Sequence, residues 1–298
     1  MFMSSTQLVG TDVIELGNDL HAAKQYFTAS CALLAYDYLL TLGQEVNVMW
    51  GNKLTPVLFL FFMNRYIPIA CCILELFISF SPLWTFEICN RFVIFQWPQT
   101  LLFTLPAESM LVYRMWAITN RSKLVVTVLV LTMTAQLSVI IAAMSRSGTF
   151  GALPIPYFEL DPFHMCILLA NGKLNVVYLS LSIFFDVIVF SITVKQTLTF
   201  NPCSIYPRSD LLRIIQRDGA LYFCALLAGN VVWLALMLCA PPGLKLMNSQ
   251  PSMVLTSIMI NRITLSLRNA GQQGTTVIVQ PTSTFPWTAE SIELHSRR

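Results

Sequence analysis

The chain has 298 residues, of which 55% are hydrophobic and only 11% are charged, and its mean hydropathy is +0.65. Soluble domains carry about twice that charged fraction, so the composition excludes an ordinary soluble protein. The formal net charge of +3 is too small to indicate nucleic-acid binding.

Seven apolar stretches of about 20 residues follow one another, and this is the length that a helix needs to cross the bilayer core. Lipid admits only helices and closed barrels, and strand-like alternation is absent here. We therefore predict an all-α membrane protein, a seven-transmembrane helix bundle. The predicted spans are residues 27–49, 54–80, 92–118, 123–144, 174–197, 219–240 and 252–268.

The positive charges set the predicted orientation. Most of the 18 Lys and Arg residues fall in the connectors that share a side with the C-terminus. Cytosolic connectors are enriched in these residues, so we predict an outer N-terminus and a cytosolic C-terminus. The chain then divides into a polar outer segment (residues 1–26), a transmembrane domain (27–268) and a flexible cytosolic tail (269–298). Sequence does not distinguish the plasma membrane from an endomembrane.

Eight cysteines are scattered without a C-x-x-C pair, so neither a zinc ribbon nor a dithiol redox site is indicated. Cys89 and Cys166 fall in connectors on the predicted outer side. A disulfide between them is compatible with an oxidising compartment, and two free thiols are the alternative.

Five ionisable residues fall deep inside the predicted spans, where a charge is costly unless it is paired or hydrated. At a rise of ~1.5 Å per residue they lie about 9 to 18 Å from the predicted cytosolic helix ends, so we expect one buried charged layer. The preferred pairs are Asp37 with Arg65 and Glu108 with Arg262. Glu75, near the outer end of its span, is expected in water. The five residues are Asp37, Arg65, Glu108, Asp186 and Arg262.

Two interpretations of this layer stay open. An ion-pair network that holds the helices in register answers the desolvation cost without any ligand. The alternative is a proton, ion or ligand site, or a polar switch whose rearrangement opens the cytosolic face. Nearby amides are available to hydrogen-bond the layer, namely Asn64, Asn175, Asn230 and Asn261.

The run YDYLLTL (Tyr36 to Leu42), followed by Glu45, Trp50 and the run NRYIP (Asn64 to Pro68), resembles the signature of a large fungal family. Its members are uncharacterised integral membrane proteins, abundant in mushroom-forming fungi, that carry a domain of unknown function. Later segments of this chain also resemble the family, so the resemblance extends over about residues 27–269. It implies a seven-helix membrane protein and supplies no ligand, reaction or partner. The later segments are Ala107 to Ala117, Arg217 to Phe223 and Ser257 to Arg268.

Motifs of other seven-helix classes are absent from the sequence. Arg114 lacks the preceding acid of the rhodopsin-like receptor triplet, and residues 252–268 contain no lysine for a retinal Schiff base. The three histidines lie outside the predicted spans, so we predict no metal and no cofactor. No nucleophile–base arrangement or phosphate loop is present, so we predict no enzymatic activity. The histidines are His21, His164 and His295.

Three functions remain open from the sequence. In a receptor-like protein, an outer stimulus would act through the polar core on a cytosolic protein partner at the inner loops and tail. In a transporter or proton-coupled carrier, Asp37, Glu108 or Asp186 would hold the transported ion. In a membrane scaffold, the charges would only hold the bundle together. The bilayer is the one partner common to all three.

Overall fold

The computed structural model describes residues 5–51, 53–81, 83–145, 151–152, 165–166, 168–169, 172–199, 208–241 and 244–279. Within these ranges the chain forms seven helices of 23 or more residues and one helix of seven residues. They are α1 (Ser5–Val48), α2 (Pro56–Phe80), α3 (Phe86–Phe92), α4 (Gln96–Ile118), α5 (Lys123–Ser145), α6 (Gly172–Thr199), α7 (Arg208–Cys239) and α8 (Ser249–Val279).

Two short elements complete the described fold. A 3₁₀ turn (Val93–Phe95) joins α3 to α4. Between α5 and α6, strand β1 (Gly151–Ala152) pairs antiparallel with strand β2 (Leu168–Leu169). Most of the predicted outer connector, residues 145–173, lies outside the described residues.

Four of the helices are long enough and apolar enough to cross a membrane. They are α2, α5, residues Lys173–Gln196 of α6 and residues Tyr222–Cys239 of α7. The chain is therefore an all-helical protein with the helices of a multi-pass membrane protein. Each of the seven predicted spans falls on a different long helix.

The first and last helices are longer than the spans predicted from hydropathy. α1 begins at Ser5, well before the predicted boundary at residue 26, and α8 continues past residue 268 to Val279. Leu20 and Ala23 of the added α1 turns are buried at 0% and 2% exposure. Hydropathy places a boundary where polar residues begin, but a helix continues when one face still packs. The last residues of the predicted tail, 280–298, lie outside the described part.

α8 packs against α1, α2, α4 and α7, and α4 packs against α2, α5, α6 and α8, so these two helices lie in the interior of the bundle. α1 turns toward α8 a stripe of buried residues at helical spacing. Polar residues interrupt this apolar stripe, so α1 carries charge into the interior. The stripe consists of Phe27, Cys31, Leu34, Asp37, Thr41, Glu45 and Val48.

A disulfide joins Cys89 of α3 to Cys166, and both residues are buried. The sequence left open a disulfide or two free thiols, and the structure contains the disulfide. The bond ties the α5–α6 connection to the short helix that precedes α4. Thr55 begins α2 at the opposite end of the bundle by accepting a hydrogen bond from the Leu58 amide, with Pro56 in the first turn.

Candidate functional site

The buried charges form three separate groups. The first is an ion pair between α1 and α8, in which Arg262 Nε lies 2.5 Å from Asp37 Oδ1. The predicted partners, Arg65 for Asp37 and Glu108 for Arg262, are wrong. α1 contacts both α2 and α8, and Arg65 of α2 pairs with Glu45 of α1, which leaves Asp37 to Arg262 of α8.

The second group is centred on Glu45, which is fully buried. Arg65 Nε lies 2.6 Å from Glu45 Oε2, while the Tyr66 hydroxyl and the Trp50 indole donate to Oε1 at 2.9 Å and 3.1 Å. Arg65 also donates to the backbone carbonyl of Tyr38 at 3.2 Å. Three side chains from α2 and the turn after α1 thus surround one buried carboxylate of α1.

Sequence reasoning missed Glu45 as a site residue, because it lies close to the predicted cytosolic end of the first span. A signal was nevertheless present in the sequence. Asp37, Thr41 and Glu45 are four residues apart, so they must share one face of a helix. Since Asp37 was expected to point inward, Glu45 should have been expected to do the same.

An amide cluster joins α2 to α8 next to the Glu45 group. Asn64 Nδ2 donates to Asn261 Oδ1 at 2.9 Å, and the Ser257 hydroxyl donates to the Asn64 carbonyl at 2.5 Å. Asn64, Ser257 and Asn261 are all at most 2% exposed. These buried hydrogen bonds fix the rotation of the two helices, although Asn64 Oδ1 itself has no hydrogen-bond partner.

The third group surrounds a cavity of about 40 Å³ between α4, α6, α7 and α8. Glu108 and Asp186 both line this cavity, together with Tyr178, Ser182 and Asn230. Asn230 Nδ2 donates to Asp186 Oδ2 at 2.6 Å, and Asn230 Oδ1 accepts from Ser252 at 3.0 Å. A cavity of this size has room for one or two water molecules or a small ion.

Glu108 is the least satisfied of the predicted site residues. Its Oε2 is buried without a hydrogen-bond partner, as is the Tyr178 hydroxyl on the same cavity. Gln136 lies beside Glu108 without reaching hydrogen-bond geometry. Among the described residues, no basic side chain forms an ion pair with Glu108 or Asp186. The predicted single charged layer is therefore divided into two ion pairs and one cavity whose two carboxylates have no basic partner among the described residues.

A further carboxylate lies at the other end of α2, where the disulfide also lies. Glu75 was expected in water, but it is only 8% exposed and its Oε1 has no hydrogen-bond partner. It lines a cavity of about 70 Å³ with Ser79, Gln96 and Cys166. The long α1 covers this cavity with Ala23 and Phe27, and this cover is the physical reason for the error.

Successive cavities share lining residues from this end of the bundle to its centre. The Glu75 cavity shares Gln96, Ser249 and Gln250 with a second cavity of about 50 Å³. That second cavity shares Tyr178 and Trp233 with the Glu108–Asp186 cavity. We call the three together the polar track.

The polar track ends at two apolar side chains. Leu111 and Ile260 line the Glu108–Asp186 cavity on one side and a separate cavity of about 440 Å³ on the other. They are 4% and 2% exposed. A layer of packed apolar side chains thus separates the carboxylates from the end of the bundle where α4 and α8 carry Arg114 and Arg268.

Within the described ranges, no group of three or more His, Cys, Asp or Glu residues is placed to hold a metal ion. The Glu108–Asp186 cavity offers two carboxylates with amide and hydroxyl neighbours.

These features define an all-helical, multi-pass membrane protein with a polar interior. Residues 26–70 match the "Family of unknown function (DUF6533)". The matched segment contains Asp37, Glu45 and Arg65. No curated protein and no solved structure matches the chain.

Proposed function

We propose that this chain is a receptor-like seven-helix membrane protein with an outer N-terminus and a cytosolic C-terminus. The excess of Lys and Arg in the connectors assigned to the cytosol supports this orientation. The Cys89–Cys166 disulfide supports it as well, because such bonds persist outside the reducing cytosol. In this orientation, the Glu75 end of the polar track faces outward.

One observation carries the proposal. The three adjoining cavities of the polar track extend from the outer end to Glu108 and Asp186. Buried side chains stand on both sides of the carboxylate cavity, Tyr178 and Trp233 toward the outer end and Leu111 and Ile260 toward the cytosolic end. Glu108 is buried and Asp186 is half-buried, and no basic side chain of the described residues pairs with either, so a cation that neutralises them would stabilise them. A small cation, either a proton or a monovalent metal ion, is therefore the species that the end of the track would hold.

α8 is the element that would transmit occupancy of the track. Met253, Thr256 and Ile260 of α8 line the carboxylate cavity, while Ile263 and Thr264 line the cytosolic cavity. A ligand shifts a conformational equilibrium only through different contacts in the two states. A small rotation of α8 would change both cavities at once, and this shared helix provides the coupling that a receptor requires.

A carrier is the second candidate, and the lack of a basic partner at Glu108 and Asp186 favours it. In a carrier, the same cation would leave on the cytosolic side once Leu111 and Ile260 separate. The two candidates differ in one measurable quantity, which is net movement of the cation across the membrane.

The test uses the purified chain in nanodiscs, with thermal stability measured in sodium, potassium or choline salts and at several pH values. A receptor-like protein should gain several degrees in one cation relative to choline. Glu108→Gln and Asp186→Asn should abolish the gain, while Glu87→Gln, at an exposed carboxylate, should retain it. Cation flux into liposomes would instead favour the carrier. A chain that responds to no cation and no pH change would be a scaffold.

A further inference from the structure

A large cavity with two arginines in its lining lies where α2 begins and where α4 and α8 approach the cytosol in the proposed orientation. Its volume is about 440 Å³. The lining is mostly apolar and includes Val57, Met110, Ile118 and Ile263, with Arg114 and Arg268 among these side chains.

The two arginines lack counter-ions in the described part of the chain. Arg114 Nε and Nη1 are buried without a hydrogen-bond partner, and its guanidinium lies 5.3 Å from the centre of the Phe223 ring. Arg268 Nη1 contacts the Met49 sulfur at 3.1 Å, which is a weak acceptor. No Asp or Glu stands among the described lining residues. Because an unpaired guanidinium in an apolar cavity is costly, this site favours an anion.

The lining decides what kind of anion fits. A free inorganic anion would fill only the arginine end and leave the apolar remainder empty. Tyr113 and Leu267, 48% and 36% exposed, extend the lining onto the surface of the bundle, so an apolar chain could enter sideways. Phosphate accepts paired hydrogen bonds from guanidinium groups. Acidic phospholipids are concentrated in the cytosolic leaflet, at the depth where these helix ends lie.

We propose that this cavity binds one acidic phospholipid of the cytosolic leaflet, with its phosphate between Arg114 and Arg268 and its upper acyl chain along α4 and α8. The assignment to the cytosolic leaflet rests on the proposed orientation, whereas the chemistry of lipid binding does not depend on it. Since Leu111 and Ile260 line this cavity as well as the carboxylate cavity, a bound lipid would press against the layer that closes the polar track.

The test measures lipid binding to the purified, detergent-solubilised chain by native mass spectrometry. Phosphatidylserine is compared with phosphatidylcholine of the same acyl chains. One phosphatidylserine should be retained preferentially, and Arg114→Gln or Arg268→Gln should weaken its binding about 10-fold. Arg121→Gln should leave binding unchanged, because Arg121 is an exposed arginine in the turn after α4 and does not line the cavity.

Several outcomes would overturn the proposal. Equal retention of both lipids would remove the role of the head group. An equal loss in Arg121→Gln would indicate general surface attraction. Displacement of the lipid by millimolar glycerol phosphate would indicate a soluble anion. If Arg114→Gln does not fold, Ala117→Phe provides the test. This substitution narrows the cavity and keeps both arginines, so it should also reduce lipid binding. Binding in detergent is independent of the cation response at Glu108, so the two proposals can fail separately.

Discussion

Arg262 of α8 pairs with Asp37 of α1 at 2.5 Å across 225 positions of sequence, and the two side chains are buried to very different degrees. The Asp37 side chain is 4% exposed and that of Arg262 is 36% exposed. The carboxylate therefore depends on the pair for its neutralisation, whereas the guanidinium can still reach polar surroundings.

This asymmetry predicts unequal effects of the two single substitutions. Arg262→Gln leaves a buried, uncompensated carboxylate and should cost about 3–5 kcal/mol of unfolding free energy. Asp37→Asn leaves a half-exposed arginine that can turn outward, and it should cost about 1 kcal/mol. The double substitution should cost less than the sum of the two. Unfolding of the reconstituted chain in a denaturing detergent measures all three.

The exposed pair of Glu87 and Arg91 provides the control for this comparison. Its side chains are 78% and 80% exposed, with Nη2 2.7 Å from Oε1. Glu87→Gln should therefore change stability by less than about 1 kcal/mol. If Arg262→Gln is no more harmful than Glu87→Gln, the α1–α8 pair does not stabilise the bundle.

A second prediction concerns Glu45, which accepts hydrogen bonds from Tyr66 and Trp50 and forms an ion pair with Arg65. Glu45→Gln should cost about 3–5 kcal/mol, because it leaves the 2%-exposed Arg65 without its counter-ion. Tyr66→Phe removes one hydrogen bond and should cost about 1 kcal/mol. Thermal unfolding, followed by tryptophan fluorescence, shows which of the two substitutions lowers stability more. Tyr36, 62% exposed, supplies the matched control, and Tyr36→Phe should have no measurable effect.

The sequence predicted the helices far better than the contacts between them. An apolar run of about 20 residues identifies a membrane helix regardless of its neighbours, so each predicted span falls on its own helix. The ion pairs depend instead on which helix faces which. Asp37 and Arg65 lie at similar predicted depths, but α8 occupies the place next to the inner face of α1, and nothing in either segment alone encodes that arrangement.

Burial at the bundle ends was equally hard to predict. Glu75 lies near the end of a span, where hydropathy alone places it in water. It is buried because α1 extends past its own apolar run and covers it with Ala23 and Phe27. Helical periodicity could have revealed this face, since Leu20, Ala23 and Phe27 continue the inward stripe that contains Asp37 and Glu45.

A third prediction tests the disulfide and, with it, the orientation. If Cys89 and Cys166 lie outside the cytosol, both should resist maleimide labelling in cell membranes until a reductant is added. Cys89→Ser, Cys166→Ser and the double variant should lower the unfolding temperature by the same amount, because each removes the same bond. Cys239→Ser, at an exposed free cysteine, is the control. Labelling before reduction, or additive losses, would contradict the proposed outer location.

The last prediction concerns the apolar layer between the carboxylates and the cavity of about 440 Å³ that Arg114 and Arg268 line. Leu111 and Ile260 are the described residues that line both cavities, so shortening Leu111 should join them. Once water connects Glu108 and Asp186 to this larger cavity, only the shared lining that includes Tyr178 and Trp233 separates them from the next cavity of the polar track. Liposomes that contain Leu111→Ala and a sodium- or pH-sensitive dye should therefore leak cations several-fold faster than liposomes with the original chain.

Leu129→Ala separates this effect from simple loss of packing. Leu129 is 0% exposed in the same apolar cluster as Leu111 and lines neither cavity. Both substitutions remove the same three carbon atoms and should destabilise by about 2–5 kcal/mol. Only Leu111→Ala should leak, and adding Glu108→Gln should reduce that leak, because the cation loses a carboxylate on its path. An equal leak in Leu129→Ala would mean that Leu111 does not close the track.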